Sequence, residues 1–156
     1  MYRRLLVTIL CILTPFCLAC TSVALHWQGQ MVTGRTFDWS DGSGFFVVSP
    51  KGVDRVAKGL PAGDVPQHWV TKYGSVSIHM ARDNRPNPAA VVDGMNEKGL
   101  SVAVLELAQT RYIPVSSKTA VIGSAQFAEY LLDRFSSVAA VIKGLKTVHV
   151  VASLYH

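Results

Sequence analysis

Cysteine is scarce in this sequence, and its three copies, Cys11, Cys17 and Cys20, all fall within the first 20 residues. That crowding excludes a disulfide scaffold. Runs of lysine and arginine are missing too. The net charge of +5 is spread thinly over 156 residues and makes no case for nucleic acid. His26, His68, His79, His149 and His156 show no metal-ligand spacing, and no second ligand type gathers with them, so no metal is expected. Glycine fingerprints for a dinucleotide and phosphate-binding loops are absent. No repeat or low-complexity segment breaks the chain, and 49% apolar content allows one domain with a core.

The long apolar run that is present stands at the start. Arg3 and Arg4 precede residues 5–19, an apolar stretch of signal-peptide length, and the small Ala19 stands just before Cys20. As a membrane anchor the run is short, and Pro15 interrupts it. Residues 1–19 therefore read as a cleaved signal peptide and residues 20–156 as part of a single domain. The product is expected to be secreted or periplasmic, with no stable membrane insertion after cleavage. Cleavage leaves 13 basic against 10 acidic side chains, a net +3, and makes Cys20 both the first residue and the sole cysteine.

Along the chain, residues 21–27 and 31–35 flank Gly29 as a β-hairpin. Residues 41–44 read as a loop, 45–49 as a buried strand ended by Pro50, and 53–57 as a possible extension of that sheet. Residues 59–67, with two prolines and two glycines, read as irregular surface chain. Short strands are expected at 70–73 and 75–80, and a proline-broken loop at 82–88. Strands at 89–93 and 100–107 bracket a tight turn over 94–99. Ala125, Ala128, Leu131, Leu132 and Phe135 recur at helical spacing and predict an amphipathic helix over 124–134. Ser136 or Ser137 caps a second helix through Leu145, with Val138, Val141, Ile142 and Leu145 on its inner face. A strand over 148–154 follows. Strands, then two helices, then a strand indicate α+β layers rather than alternating βαβ units.

A cysteine exposed as the first residue has its own base. An α-amine ordinarily titrates near 7.7–8.0, so at neutral pH a fraction is free to take the thiol proton. Arg35 nearby would favour the thiolate, and Asp38 would hold the amine. Arg35 and Asp38 are three residues apart and would face opposite ways in a straight strand, so the chemistry requires a bend after Arg35. Position alone leaves a lipid-modified cysteine open as the alternative. For Arg35 and Asp38 the plain alternative is a surface ion pair, and for Asn96 a turn residue. Trp39, Phe45 and Phe46 read as core or as the lining of an apolar pocket.

Three segments together resemble the choloylglycine hydrolase family, the bile salt hydrolases and penicillin V acylases of the N-terminal-nucleophile superfamily. They are Cys20-Thr21-Ser22, Gly34-Arg35-Thr36-Phe37-Asp38-Trp39 and Asp93-Gly94-Met95-Asn96-Glu97-Lys98-Gly99-Leu100. Residues 71–76 and the paired helices are similar to it as well, and the likeness covers essentially all of residues 20–156. It implies an α+β fold, the αββα four-layer sandwich, truncated here to its N-terminal part. It also implies a cysteine amidase acting on penicillin V, N-acyl homoserine lactone or conjugated bile acid substrates. By the resemblance Cys20 is nucleophile and base, Arg35 and Asp38 poise it, and Asn96 donates to the oxyanion. Met31 and Trp39 would bind substrate, while Glu106 stands where a neutral or aromatic pocket residue is implied. The resemblance further implies a small-molecule amide substrate, no cofactor, and a homotetramer for full-length relatives. The family's longer chains supply another asparagine and a second arginine beyond these residues, so the 156-residue chain alone is expected to be inactive or nearly so. The rival readings are a lipid-anchored envelope protein without catalysis and an inactive remnant of the amidase.

Overall fold

The computed structural model describes residues 20–38, 43–82, 85–107, 109–114 and 118–153. The expected signal peptide and Trp39 lie outside them. The chain divides into two compact units, Met1–Ser40 and Asp41–His156.

In the first unit, β1 (Ser22–Trp27) and β2 (Gln30–Arg35) form an antiparallel hairpin in the register Ser22↔Arg35 to Trp27↔Gln30. Gln28 and Gly29 link them, both at positive φ (48° and 76°). Two left-handed residues are what a two-residue turn needs to match the strands' twist.

The second unit is built on a four-stranded sheet in the order β3-β7-β8-β9. These strands are β3 (Gly44–Ser49), β7 (Ser75–Arg82), β8 (Arg85–Asn96) and β9 (Ser101–Ala103). The segment expected as a proline-broken loop instead opens β8, with Arg82 opposite Arg85 and Ala81 opposite Pro86. Pro86 and Pro88 are tolerated because, among the described residues, this end of β8 pairs with β7 alone; β9 joins further along, from Asp93. Nor does the segment after Pro50 extend this sheet. β4 (Asp54–Val56) pairs with β6 (His68–Val70) as a separate antiparallel pair. The stretch read as irregular contains β5 (Val65–Pro66), which joins β10 (Ala120–Gly123) and β11 (Val150–Val151) in a third, parallel sheet.

A 3₁₀ turn over Ser124–Gln126 leads into α1 (Phe127–Arg134), so the predicted helix holds but begins tighter than α. Its Ala128 and Leu132 pack with Val91, Val102 and Val104 on one face of the four-stranded sheet. Its other flank joins Ala57, Trp69 and Ile122, where Trp69, Tyr130 and Phe135 stack edge to face with centroids 5.3 and 5.9 Å apart. The opposite face of the sheet presents Phe46 (79% exposed), Val48 (75%), Val76 and Met95. Phe46 is thus not core here.

Ser137 caps α2 (Val138–Gly144), its Oγ accepting from Ala140 N–H at 3.3 Å. The expected inner face of this helix needs correction. Val141 packs against the core, but Val138, Ile142 and Leu145 are exposed. Helical periodicity shows which face is apolar, not whether anything covers it.

Candidate active site

β2 ends at Arg35, and Thr36 carries the chain out of the ladder. Beyond the last paired residues, Ser22 and Arg35, the ladder continues for one more bond, Thr36 N–H donating to Thr21 O at 2.9 Å. The return bond is not main-chain. Thr21 N–H donates to the Thr36 hydroxyl at 3.0 Å, while the Thr36 carbonyl accepts from Arg35 Nε at 3.3 Å. The strand therefore turns off after Arg35. Thr36 Oγ1 in turn donates to Asp38 Oδ2 at 3.2 Å. Arg35 and Asp38, three apart in sequence, are gathered onto the two ends of one residue. The Arg35 guanidinium also lies over the Phe37 ring, 5.1 Å from its centroid.

Cys20 is a half-buried free thiol immediately before this pairing. It precedes β1, whose first residue, Ser22, shares a face of the hairpin with Arg35. Met31, 53% exposed, lies on that same face of β2 but four residues from Arg35, roughly 13 Å along the strand. Such a distance suits contact with an extended group, not with the reacting atoms.

Asn96 is held quite differently. It is 4% exposed, and its side chain is fully engaged. Nδ2 donates to Leu132 O at 2.8 Å and Phe135 O at 2.7 Å; Oδ1 accepts from Lys98 and Leu100 N–H at 3.0 and 3.1 Å. A carboxamide has two protons to give. Both go to carbonyls at the C-terminal end of α1, which would otherwise be left unsatisfied. The expectation that Asn96 donates to an oxyanion is therefore corrected to a bracket between the β8–β9 turn and α1. Its motif neighbours do similar work. A Cβ on Gly94 would come within 2.7 Å of Leu132 Cδ1, and Gly99 takes the positive φ (78°) that closes the turn. Lys72 and Tyr73 N–H complete the cap by donating to Asp133 O at 2.8 and 3.2 Å.

Sequence reasoning missed a buried ionic cluster on the same helix. Asp133 is fully buried; its Oδ2 accepts from Trp69 Nε1 at 2.7 Å and lies 3.7 Å from Arg55 Nε, while Oδ1 meets no hydrogen-bond donor among the described residues. Arg55 also pairs with Glu129 at 3.0 Å and donates to Ser49 Oγ. Loss of water raises the Asp133 carboxyl to about 6, and the Glu129 charge adds to this; the Trp69 N–H, Arg55 and Arg134 pull it back. Arg55, Glu129, Ser49 and His79 line a cleft of about 340 Å³ walled by valines. Its guanidinium is already paired, and the neighbouring Ser77–His79 pair, 3.0 Å apart, is buried, so no substrate-ready nucleophile faces it. Among the described residues no cluster of His, Cys, Asp or Glu is arranged to hold a metal ion.

Residues 20–156 match the family model of linear amide C–N hydrolases of the choloylglycine hydrolase family. The chain is 36% identical over 136 residues to a penicillin V acylase of Pectobacterium atrosepticum, a match covering 83% of this chain and 35% of that protein. Among solved structures, the penicillin V acylase of Agrobacterium tumefaciens superposes with a TM-score of 0.70 at 28% identity, over 86% of this chain and 40% of that one. A mutant conjugated bile acid hydrolase of Clostridium perfringens gives 0.62 at 25% identity, over 85% and 39%. The α+β class and the N-terminal-nucleophile fold are thereby shown for the stretch compared, and the chain spans little more than a third of the length of these relatives.

Proposed function

The chain belongs to the choloylglycine hydrolase family of linear amide C–N hydrolases, and from that premise we propose that Cys20, freed as the first residue by export, is the nucleophile of an amidase. The reading is supported by Thr36, whose carbonyl accepts from Arg35 and whose hydroxyl donates to Asp38 just beyond the first strand pairing. The α-amine takes the thiol proton, and the thiolate attacks the amide carbonyl to give a tetrahedral oxyanion. The intermediate collapses with the proton delivered to the leaving amine, leaving an acyl thioester. Water, deprotonated by the same amine, then releases the acid and restores the thiol. Asp38 holds the ammonium form and Arg35 the thiolate. Oxyanion donors belong to groups other than Asn96, whose protons are committed to α1.

The substrates favoured are those of the matched relatives, penicillin V and conjugated bile acids, with N-acyl homoserine lactones as a further acyl amide of the same kind. Trp39 and Met31 are proposed to contact the acyl group, and full-length assembly is proposed as a homotetramer, both from the family resemblance. Because the chain spans about a third of the curated relative, the assignment concerns the role of these residues within the family domain as a whole.

Penicillin V hydrolysis followed as phenoxyacetate release is the direct test. In a full-length version Cys20→Ser should lose most turnover while substrate binding persists; undiminished release would exclude the thiol. Intact mass of the exported protein separates the rival reading, since a diacylglycerol adduct on Cys20 would identify a lipid-anchored protein instead.

A further inference from the structure

Thr36 is not among the residues that the sequence singles out for chemistry, yet Arg35, Asp38 and the peptide group after Cys20 all bond to it. We propose that Thr36 is a positioning residue of the thiol–amine site, its hydroxyl tying the peptide group between Cys20 and Thr21 to the Asp38 carboxylate. The inference rests on the reading of Cys20 as first residue and nucleophile.

The hydrogen-bond polarity runs in one direction. Thr21 N–H, part of the peptide bond that Cys20 makes, donates to Thr36 Oγ1 at 3.0 Å. The hydroxyl's own proton then goes to Asp38 Oδ2 at 3.2 Å. A hydroxyl accepts and donates at once, so both demands are met by one atom, and each bond polarises the other. Asp38 is exposed and would otherwise sample several rotamers in water. The tether fixes one carboxylate oxygen relative to the peptide group next to the nucleophile. Proton exchange between thiol and amine needs that fixed distance, because the carboxylate favours the ammonium only where it stands close to it.

Valine at 36 is the discriminating change, being close in shape and lacking the hydroxyl. It leaves the main-chain bond from residue 36 N–H to Thr21 O, which any residue but proline makes. Serine keeps the hydroxyl and drops a methyl group. The readout is condensation of the exported chain with 2-cyanobenzothiazole, which traps a free amino-terminal cysteine and no internal one, followed by mass spectrometry across pH 5–9. Thr36→Val should slow the condensation about 3–10-fold, the effect of one solvent-exposed hydrogen bond, and displace the midpoint of its pH profile, with the urea unfolding curve retained. Thr36→Ser should return both to within about twofold of the parent. A Thr36→Val profile identical to the parent, or a Thr36→Ser variant as impaired as Thr36→Val, overturns the positioning role. Failure of the parent itself to condense would instead show that Cys20 is not the free first residue, and would remove the premise along with the proposal.

Discussion

Two family motifs, some sixty residues apart, are built in opposite ways. The segment from Cys20 to Asp38 is a largely exposed hairpin whose last polar groups meet at one threonine hydroxyl. The segment from Asp93 to Leu100 is folded against α1, with Gly94 accepting the close approach of Leu132 and Asn96 spending its whole side chain on the helix end and the turn. Equal prominence in the sequence thus hides a division of labour. The first motif leaves its polar groups exposed and packs little; the second supplies architecture and no free donor.

The contrast can be broken by finding that either motif does the other's work. The largest effect is expected at Cys20. In a full-length version Cys20→Ser should reduce turnover by about 10³-fold or more, equivalent to roughly 4 kcal/mol of transition-state stabilisation, with the thermal midpoint unchanged. A comparable fall in stability would place Cys20 in the fold as well. Asn96→Asp should do the reverse. It keeps the shape but sets carboxylate oxygen against Leu132 O and Phe135 O, costing about 3–4 kcal/mol in urea unfolding. A stable Asn96→Asp protein with only its catalysis lost would restore the oxyanion role.

Asp133 sharpens the same contrast through pH. Its carboxyl is raised in the folded protein, so the native state binds the proton more tightly than the unfolded chain does. Stability must then fall as pH rises from the ordinary aspartate range, near 3.8, through about 6, and stay low above it. The fall attributable to this group is at most about 3 kcal/mol, and Asp133→Asn should abolish it while still accepting the Trp69 N–H. Parallel pH–stability curves for parent and variant would refute the buried charge. Gly94→Ala should cost about 1–3 kcal/mol by forcing Leu132 out of place. The smallest effect is expected at Met31. Met31→Ala should leave stability within about 0.5 kcal/mol and, in a full-length version, raise KM for long acyl groups.

Local pattern made much of the fold legible. The hairpin around Gln28 and Gly29, the helix over 124–134 and the cap at Ser137 each follow from residues close in sequence. What escaped depends on partners far along the chain. Pro86 and Pro88 read as breakers because nothing local shows that β9 pairs only further down β8. Asp133 finds Trp69 across 64 residues, and no spacing rule anticipates that pair. Val138 and Ile142 read as buried because they are apolar at helical spacing, whereas burial depends on a neighbour. At the candidate site, Cys20, Arg35 and Asp38 are proposed from charge, thiol chemistry and the family resemblance. Thr36 was not singled out, since a threonine next to a strand reads as a strand former and its bonds to Thr21 and Asp38 appear only in the structure. Asn96 was legible as a turn residue, and its second partner, the end of α1, was invisible.

Whether the exported chain begins with a nucleophilic sulfur is decided by mass spectrometry of the amino-terminal peptide, taken from a full-length version after brief exposure to penicillin V and quenching in acid. The expected peptide starts at Cys20 and holds a phenoxyacetyl group on that residue, lost when Cys20 is replaced by serine. A peptide starting upstream of Cys20, or an acyl group attached to any other residue, would show that the sulfur is not the nucleophile.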